Sequence, residues 1–213
     1  MSDSDTRALL RNARCMFDAG KLRTAARLCR EYLNIDAKNV EALDLFGAIL
    51  IKAGLNEKAV NVIEESMLIG GPNSAVLYNY GVALRGAGQL VQASRAFKNA
   101  AIADPNRADC WFNLGETYRR LEYHSKAISA LKKAIQLNAS DASYIFTLGN
   151  AFLDGDNFNE AVDAFQSALV LEPNNIEYKN NLGVALKKVG KFYEAIQNFE
   201  NILIHNDQLI WIY

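Results

Sequence analysis

Between Trp111 and Ile135 the apolar residues fall into two helical rows. Trp111, Leu114, Tyr118 and Leu121 lie three or four apart; after a short polar break, Ala127, Ile128, Leu131, Ala134 and Ile135 do the same. Such spacing matches 3.6 residues per turn, so the pattern predicts two helices joined by a tight turn, each with one apolar face. The double pattern recurs along the chain. Glycines at 47, 81, 115, 149 and 183 stand 34 residues apart, and an alanine follows each by 12 residues: Ala59, Ala93, Ala127, Ala161 and Ala195. A fixed period of that size marks a tandem array in which each hairpin needs its neighbours to bury its apolar faces. The turn inside the hairpin carries Gly54, Gly88 or Gly190 in three units and Gly155-Asp156 in a fourth; the unit around Tyr123 uses Glu122 to Ser125 instead. At the unit ends stand Gly71-Pro72-Asn73, Asp104-Pro105-Asn106, Asn138-Ala139-Ser140, Glu172-Pro173-Asn174 and Asn206-Asp207. These residues stop one helix and offer an N-cap to the next.

Trp111, Leu114, Gly115 and Tyr118, with Ala93 before Phe97, Ala161 before Phe165, and Pro105 and Pro173 closing two units, resemble the tetratricopeptide repeat family. Its 34-residue pattern is W-x2-L-G-x2-Y, then A-x3-F, then P. Five units run 40–73, 74–107, 108–141, 142–175 and 176–209. A sixth, 6–39, is degenerate, with Asn12 and Ala13 in the leucine and glycine places but Ala25 and Gly20 retained. Residues 1–5 read as a tail and 210–213 as the start of an incomplete further helix. The resemblance implies an all-α, right-handed superhelical solenoid whose first helices line a concave groove. Small residues such as Gly115 and Ala127 let the two helices of a hairpin approach closely, which explains a glycine that costs roughly 1 kcal/mol in helix propensity.

Two residues before each glycine stand Leu45, Asn79, Asn113, Thr147 and Asn181. An amide there offers a donor and an acceptor to a peptide backbone without reading its side chains; the competing role is a bond to a neighbouring helix or to water. The residues resemble the asparagine ladder of peptide-binding members, which makes Asn79, Asn113, Thr147 and Asn181 the candidate groove contacts. Tyr78 and Phe112, one place earlier, add aromatic surface, although aromatics at this spacing usually pack between helices. At the far ends of the first helices, Arg85, Arg119 and Lys187 share one phase. Acids near helix starts and bases near helix ends also answer the helix dipole, at roughly 0.3 to 1 kcal/mol each.

Composition narrows the function without naming it. The formal net charge is -1, from 23 basic and 24 acidic residues, so no overall field calls for nucleic acid or an anionic membrane. The three cysteines, an odd number without C-x-x-C spacing, fit a reducing compartment, and the expected location is the cytoplasm. Cys15 and Cys29 are expected to pack inside the first hairpin. His124, in a turn, and His205 lack phased metal-ligating or catalytic partners, so no cofactor, no metal and no catalysis are expected. The reading is a non-catalytic scaffold that binds an extended peptide or partner protein in its groove. Two alternatives stand: the substrate-recruiting repeats of a larger glycosyltransferase or sulfotransferase, and a self-assembling scaffold. The second draws on the apolar tail Ile210, Trp211, Ile212 and Tyr213, which predicts self-association through the carboxy-terminal edge.

Overall fold

The computed structural model describes the backbone over residues 3–210 and side chains over 7–203. Twelve helices and no strands fill the described residues, and the chain divides into two compact units, residues 1–105 and 106–213. The first unit holds α1 (Asp3–Asp18), α2 (Leu22–Leu33), α3 (Val40–Lys52), α4 (Asn56–Gly70), α5 (Ser74–Gly86) and α6 (Leu90–Ala103). The second holds α7 (Ala108–Arg120), α8 (His124–Leu137), α9 (Ala142–Asp154), α10 (Phe158–Leu171), α11 (Ile176–Val189) and α12 (Phe192–Ile210). Consecutive helices pack as hairpins, which is the all-α repeat architecture that the 34-residue period requires.

The period is visible in the backbone. Gly20, Gly54, Gly88 and Gly190 take left-handed φ of 72° to 89° between the helices of their hairpins, and at the same phase Glu122 and Asp156 take φ of 61° and 58°. The turn of the fourth hairpin, which has no glycine, is therefore made by Glu122. In the fifth the left-handed residue is Asp156, while Gly155 beside it has φ of -96°. Side-chain caps recur in the same way. Asn39, Asn73 and Asn175 each accept from the backbone N–H three residues on, at 3.0 to 3.2 Å, and Asp141 accepts from Ser143. Arg107, at the equivalent place, supplies no side-chain cap.

In-phase glycines face the largest core side chains. A Cβ on Gly115 would stand 2.6 Å from Leu131 Cγ; on Gly149, 2.5 Å from the Phe165 ring; on Gly81, 2.7 Å from the Phe97 ring. Phe97, Leu131 and Phe165 are fully buried, each worth about 1.5 to 3 kcal/mol of apolar transfer. The glycine thus exists so that the second helix can seat a bulky residue against the backbone of the first.

Three local expectations are corrected. Asn206-Asp207 does not break the chain, since α12 runs through to Ile210; with neither Gly nor Pro, the pair costs a helix at most about 0.7 kcal/mol per residue. Cys15 is exposed, whereas Cys29 is buried and donates from Sγ to the Ala42 carbonyl at 3.4 Å. His124 opens α8 rather than lying in a turn, and its Nδ1 is buried without a hydrogen-bond partner among the described residues. The apolar side chains Ile210, Trp211, Ile212 and Tyr213 lie outside the described residues.

Candidate functional site

Within each unit the first helices of successive hairpins touch: α1 with α3, α3 with α5, α7 with α9, and α9 with α11. No comparable contact joins α2 to α4, α4 to α6, α8 to α10 or α10 to α12. The first helices therefore form the inner, more closely spaced layer of each unit and the second helices the outer one. A side chain two before the in-phase glycine sits on that inner layer, but its surroundings differ from hairpin to hairpin.

In the first unit, Asn79 on α5 is half-buried and has no hydrogen-bond partner among the described residues. Its neighbour Tyr78 turns an edge toward Phe97, with ring centroids 5.8 Å apart, and the Arg85 guanidinium lies over the same ring at 5.4 Å. Both side chains are thus anchored on α6 while remaining half-buried.

In the second unit, Asn113 is buried, 7% exposed, and its Nδ2 donates to the Asp109 carbonyl at 2.8 Å. Thr147 is buried as well, at 8%. Asn181 on α11 is half-buried and donates from Nδ2 to Oδ1 of Asn150 on α9 at 2.8 Å. Neither amide has a further partner among the described residues. The pair therefore keeps an acceptor on Asn181 and donors on both amides, which matches the donor and acceptor of a peptide bond. Lys187, at the far end of α11, is exposed.

Arg119 is engaged. Its Nη1 bonds Asp154 Oδ2 at 2.9 Å and its Nε bonds Glu116 Oε2 at 3.2 Å. Burial would lower its pKa, but the hydrogen bonds and charges of Glu116 and Asp154 outweigh that and raise it, so the guanidinium holds α7 to α9 as a permanent cation. Phe112 stacks on Tyr144 at 4.5 Å, and Phe146 on Tyr178 at 4.4 Å. Tyr144 also donates from its hydroxyl to Asp109 at 2.7 Å. Burial, then the nearby carboxylates of Glu172, Asp141 and Glu177, raise the Tyr178 phenol pKa, so it stays neutral. Asn150, Tyr144 and Tyr178 were not among the sequence candidates. Their signal is an offset of 31 to 35 residues between partners, one repeat plus or minus a turn, which becomes readable only when neighbouring repeats are superposed.

Among the described residues no group of three or more His, Cys, Asp or Glu side chains is placed to hold a metal ion, and no helix is long and apolar enough to cross a membrane.

Two family profiles match the second unit: a tetratricopeptide repeat over residues 108–141 and a TPR repeat over residues 149–190. No curated protein matches the chain by sequence. Among solved structures, MamA superposes with a TM-score of 0.71 at 25% identity, covering 76% of this chain and 94% of its own. A tetratricopeptide repeat protein from Parabacteroides merdae gives 0.80 at 16% identity, covering 94% and 80%. YrrB, described as a TPR protein with an unusual peptide-binding site, gives 0.70 at 16% identity, covering 80% and 88%. With in-phase glycines against buried second-helix residues, paired helices throughout and the repeat profiles matched over 108–141 and 149–190, the chain has the all-α fold of tetratricopeptide-repeat proteins and carries repeats of that family.

Proposed function

We propose that the chain is a non-catalytic interaction scaffold whose units each offer an inner layer of first helices to an extended peptide. The observation that carries this reading is the Asn150–Asn181 pair: two half-buried amides, bonded once to each other, with donors and an acceptor still to be satisfied. Asn79, without a hydrogen-bond partner among the described residues, supports it in the first unit. The binding residues proposed are Asn79, Asn150, Asn181 and Lys187, with Tyr78 and Arg85 contributing their half-buried surfaces. Asn113, Thr147, Phe112 and Arg119 then have a positioning role, because each is buried or already engaged. The repeat frame proposed for the site is 6–39, 40–73, 74–107, 108–141, 142–175 and 176–209. The likeness to YrrB, a protein described as having a peptide-binding site, agrees with this reading at the level of fold.

The test is selection of binders from a phage-displayed peptide library on the full chain, followed by titration against variants. Asn181→Ala with Lys187→Glu should weaken selected peptides at least fivefold, whereas Gln166→Ala, on the exposed outer helix α10, should not. Peptides indifferent to the first pair, or lost equally with Gln166→Ala, would sink the proposal.

A second reading, self-association at the carboxy-terminal edge, has its own observation. Tyr193, Ile196 and Leu203 on α12 are 73%, 55% and 63% exposed. Val162, which occupies on α10 the place of Ile196, is 5% exposed and packs in the core beside α11. Sedimentation that shows a monomer at high concentration would remove this reading. Dimerisation abolished by Ile196→Glu would establish it.

A further inference from the structure

Charge is distributed unevenly along the chain. Residues 6–39 hold eight basic and three acidic side chains, a surplus of five positive charges in a chain whose formal net charge is -1. Six of those eight are arginines, the residue whose planar fork matches paired oxyanion oxygens. Three of them, Arg7, Arg11 and Arg14, follow one another at helical spacing on α1 and line a single pocket with Leu10, Tyr32 and Glu41.

The pocket has a buried polar floor. Tyr32 is only 8% exposed. Its hydroxyl accepts from Asn39 Nδ2 at 3.1 Å, which leaves its own hydrogen to be donated. The charges of Arg11 and Arg14 are scarcely answered. Arg14 approaches Glu41 at 3.9 Å with both side chains at least half exposed, and Arg11 has no ion-pair partner among the described residues. An exposed pair at that distance contributes little.

We propose that this pocket is an anion site that takes the oxyanion-bearing side chain of a partner peptide, a phosphoryl group or clustered carboxylates. The guanidinium groups supply charge and paired donors, and the Tyr32 hydroxyl supplies a neutral donor from the floor. Glu41 on the rim favours a peptide over a continuous polyanion. A lipid headgroup layer or a nucleic acid backbone laid across the pocket brings further negative charge against that carboxylate, whereas a peptide brings one anionic side chain and then its amide N–H groups. The site is built from α1, Tyr32 and the start of α3, and it is independent of the amide pair on α9 and α11.

The test is fluorescence anisotropy on the full chain with three labelled twelve-residue peptides, carrying a central phosphoserine, a run of glutamates, or only neutral residues. Vesicles with phosphatidylserine form a fourth arm. At least one anionic peptide should bind, weaken when sodium chloride is raised from about 50 to 300 mM, and lose at least tenfold in Arg11→Gln/Arg14→Gln. Arg-to-Gln exchange at exposed helix positions preserves helix propensity, and circular dichroism checks the fold. Tyr32→Phe should cost a smaller factor, and Lys98→Gln, at an exposed cation on the outer helix α6, should cost nothing. Binding by the phosphoserine peptide alone assigns a phosphoryl ligand; binding by the glutamate peptide assigns carboxylates. The proposal is overturned if the neutral peptide binds equally, if the double variant binds unchanged, if Lys98→Gln abolishes binding as fully, if only vesicles bind, or if nothing binds.

Discussion

Replacing Gly115 by alanine sets two known effects against each other. Alanine is the better helix former by roughly 1 kcal/mol, so at an open helical position the change would stabilise. At this position the new methyl would lie 2.6 Å from Leu131 Cγ, 3.0 Å from Leu131 Cδ2 and 3.2 Å from the Ala127 carbonyl oxygen. Leu131 is fully buried, and Ala127 O belongs to backbone, so neither yields without moving α8 from α7. Overpacking of this kind costs typically about 1 to 3 kcal/mol. The expected net is a loss of about 1 kcal/mol, read as a fall in urea midpoint of roughly 0.5 M for a slope near 2 kcal/mol/M. Leu131→Ala alone should cost about 2 to 5 kcal/mol through its cavity. In the double variant the new methyl occupies part of that space, so the two losses should fall short of additivity by about 1 kcal/mol or more. Additivity within about 0.5 kcal/mol, or a Gly115→Ala protein more stable than wild type, would refute the close-approach account of the recurring glycine.

Other consequences follow from the same geometry. Glu122→Gly should raise the melting temperature, by up to about 1 kcal/mol of stability, because it relieves a left-handed φ of 61° at some cost in unfolded-chain entropy. Gly88→Ala should lower it although a Cβ there meets nothing within 4 Å, since its φ of 78° disfavours any side chain. Ellman's reagent should titrate exposed Cys15 rapidly in the native protein, and buried Cys29 and Cys110 only on unfolding. Burial, partly offset by the charge of Arg14, pushes the Cys29 thiol up from 9.0 to about 11. The unfolded chain therefore releases this proton first as pH rises, so the stability it contributes is present below pH 9.0 and lost toward about 11. Comparison with Cys29→Ala across that window checks the sign. Arg119→Met and Asp154→Asn should couple by about 0.5 to 1 kcal/mol in a double-mutant cycle, and by less in 1 M salt.

The repeat period, the hairpins and the role of the glycine are legible in the chain because each depends on side chains within one unit. The wall that Gly115 needs, Leu131, lies 16 residues away and falls on the predicted apolar row. The candidate site was less legible. Asn79, Asn113 and Asn181 are indistinguishable by phase, yet Asn113 is buried with its amide on the Asp109 carbonyl while Asn79 has no hydrogen-bond partner among the described residues. What separates them is the neighbouring hairpin, and contacts between hairpins join residues of different units at offsets that no pattern within one unit displays. Arg119 illustrates the same limit. Its phase matches Lys187, but Asp154 lies one repeat and one residue further on and takes its charge. The turn near Glu122 shows in the break between the apolar rows, but that Glu122 is its left-handed residue does not, because a left-handed glutamate carries no compositional mark.

The central claim is that the inner layer of first helices is the binding surface. Hydrogen–deuterium exchange of the full chain, with and without a selected peptide at saturation, measures it directly. Protection is expected in α9 and α11 around Asn150 and Asn181, with α8 and α10 unchanged. Protection confined to the outer helices α8 and α10 would contradict the account.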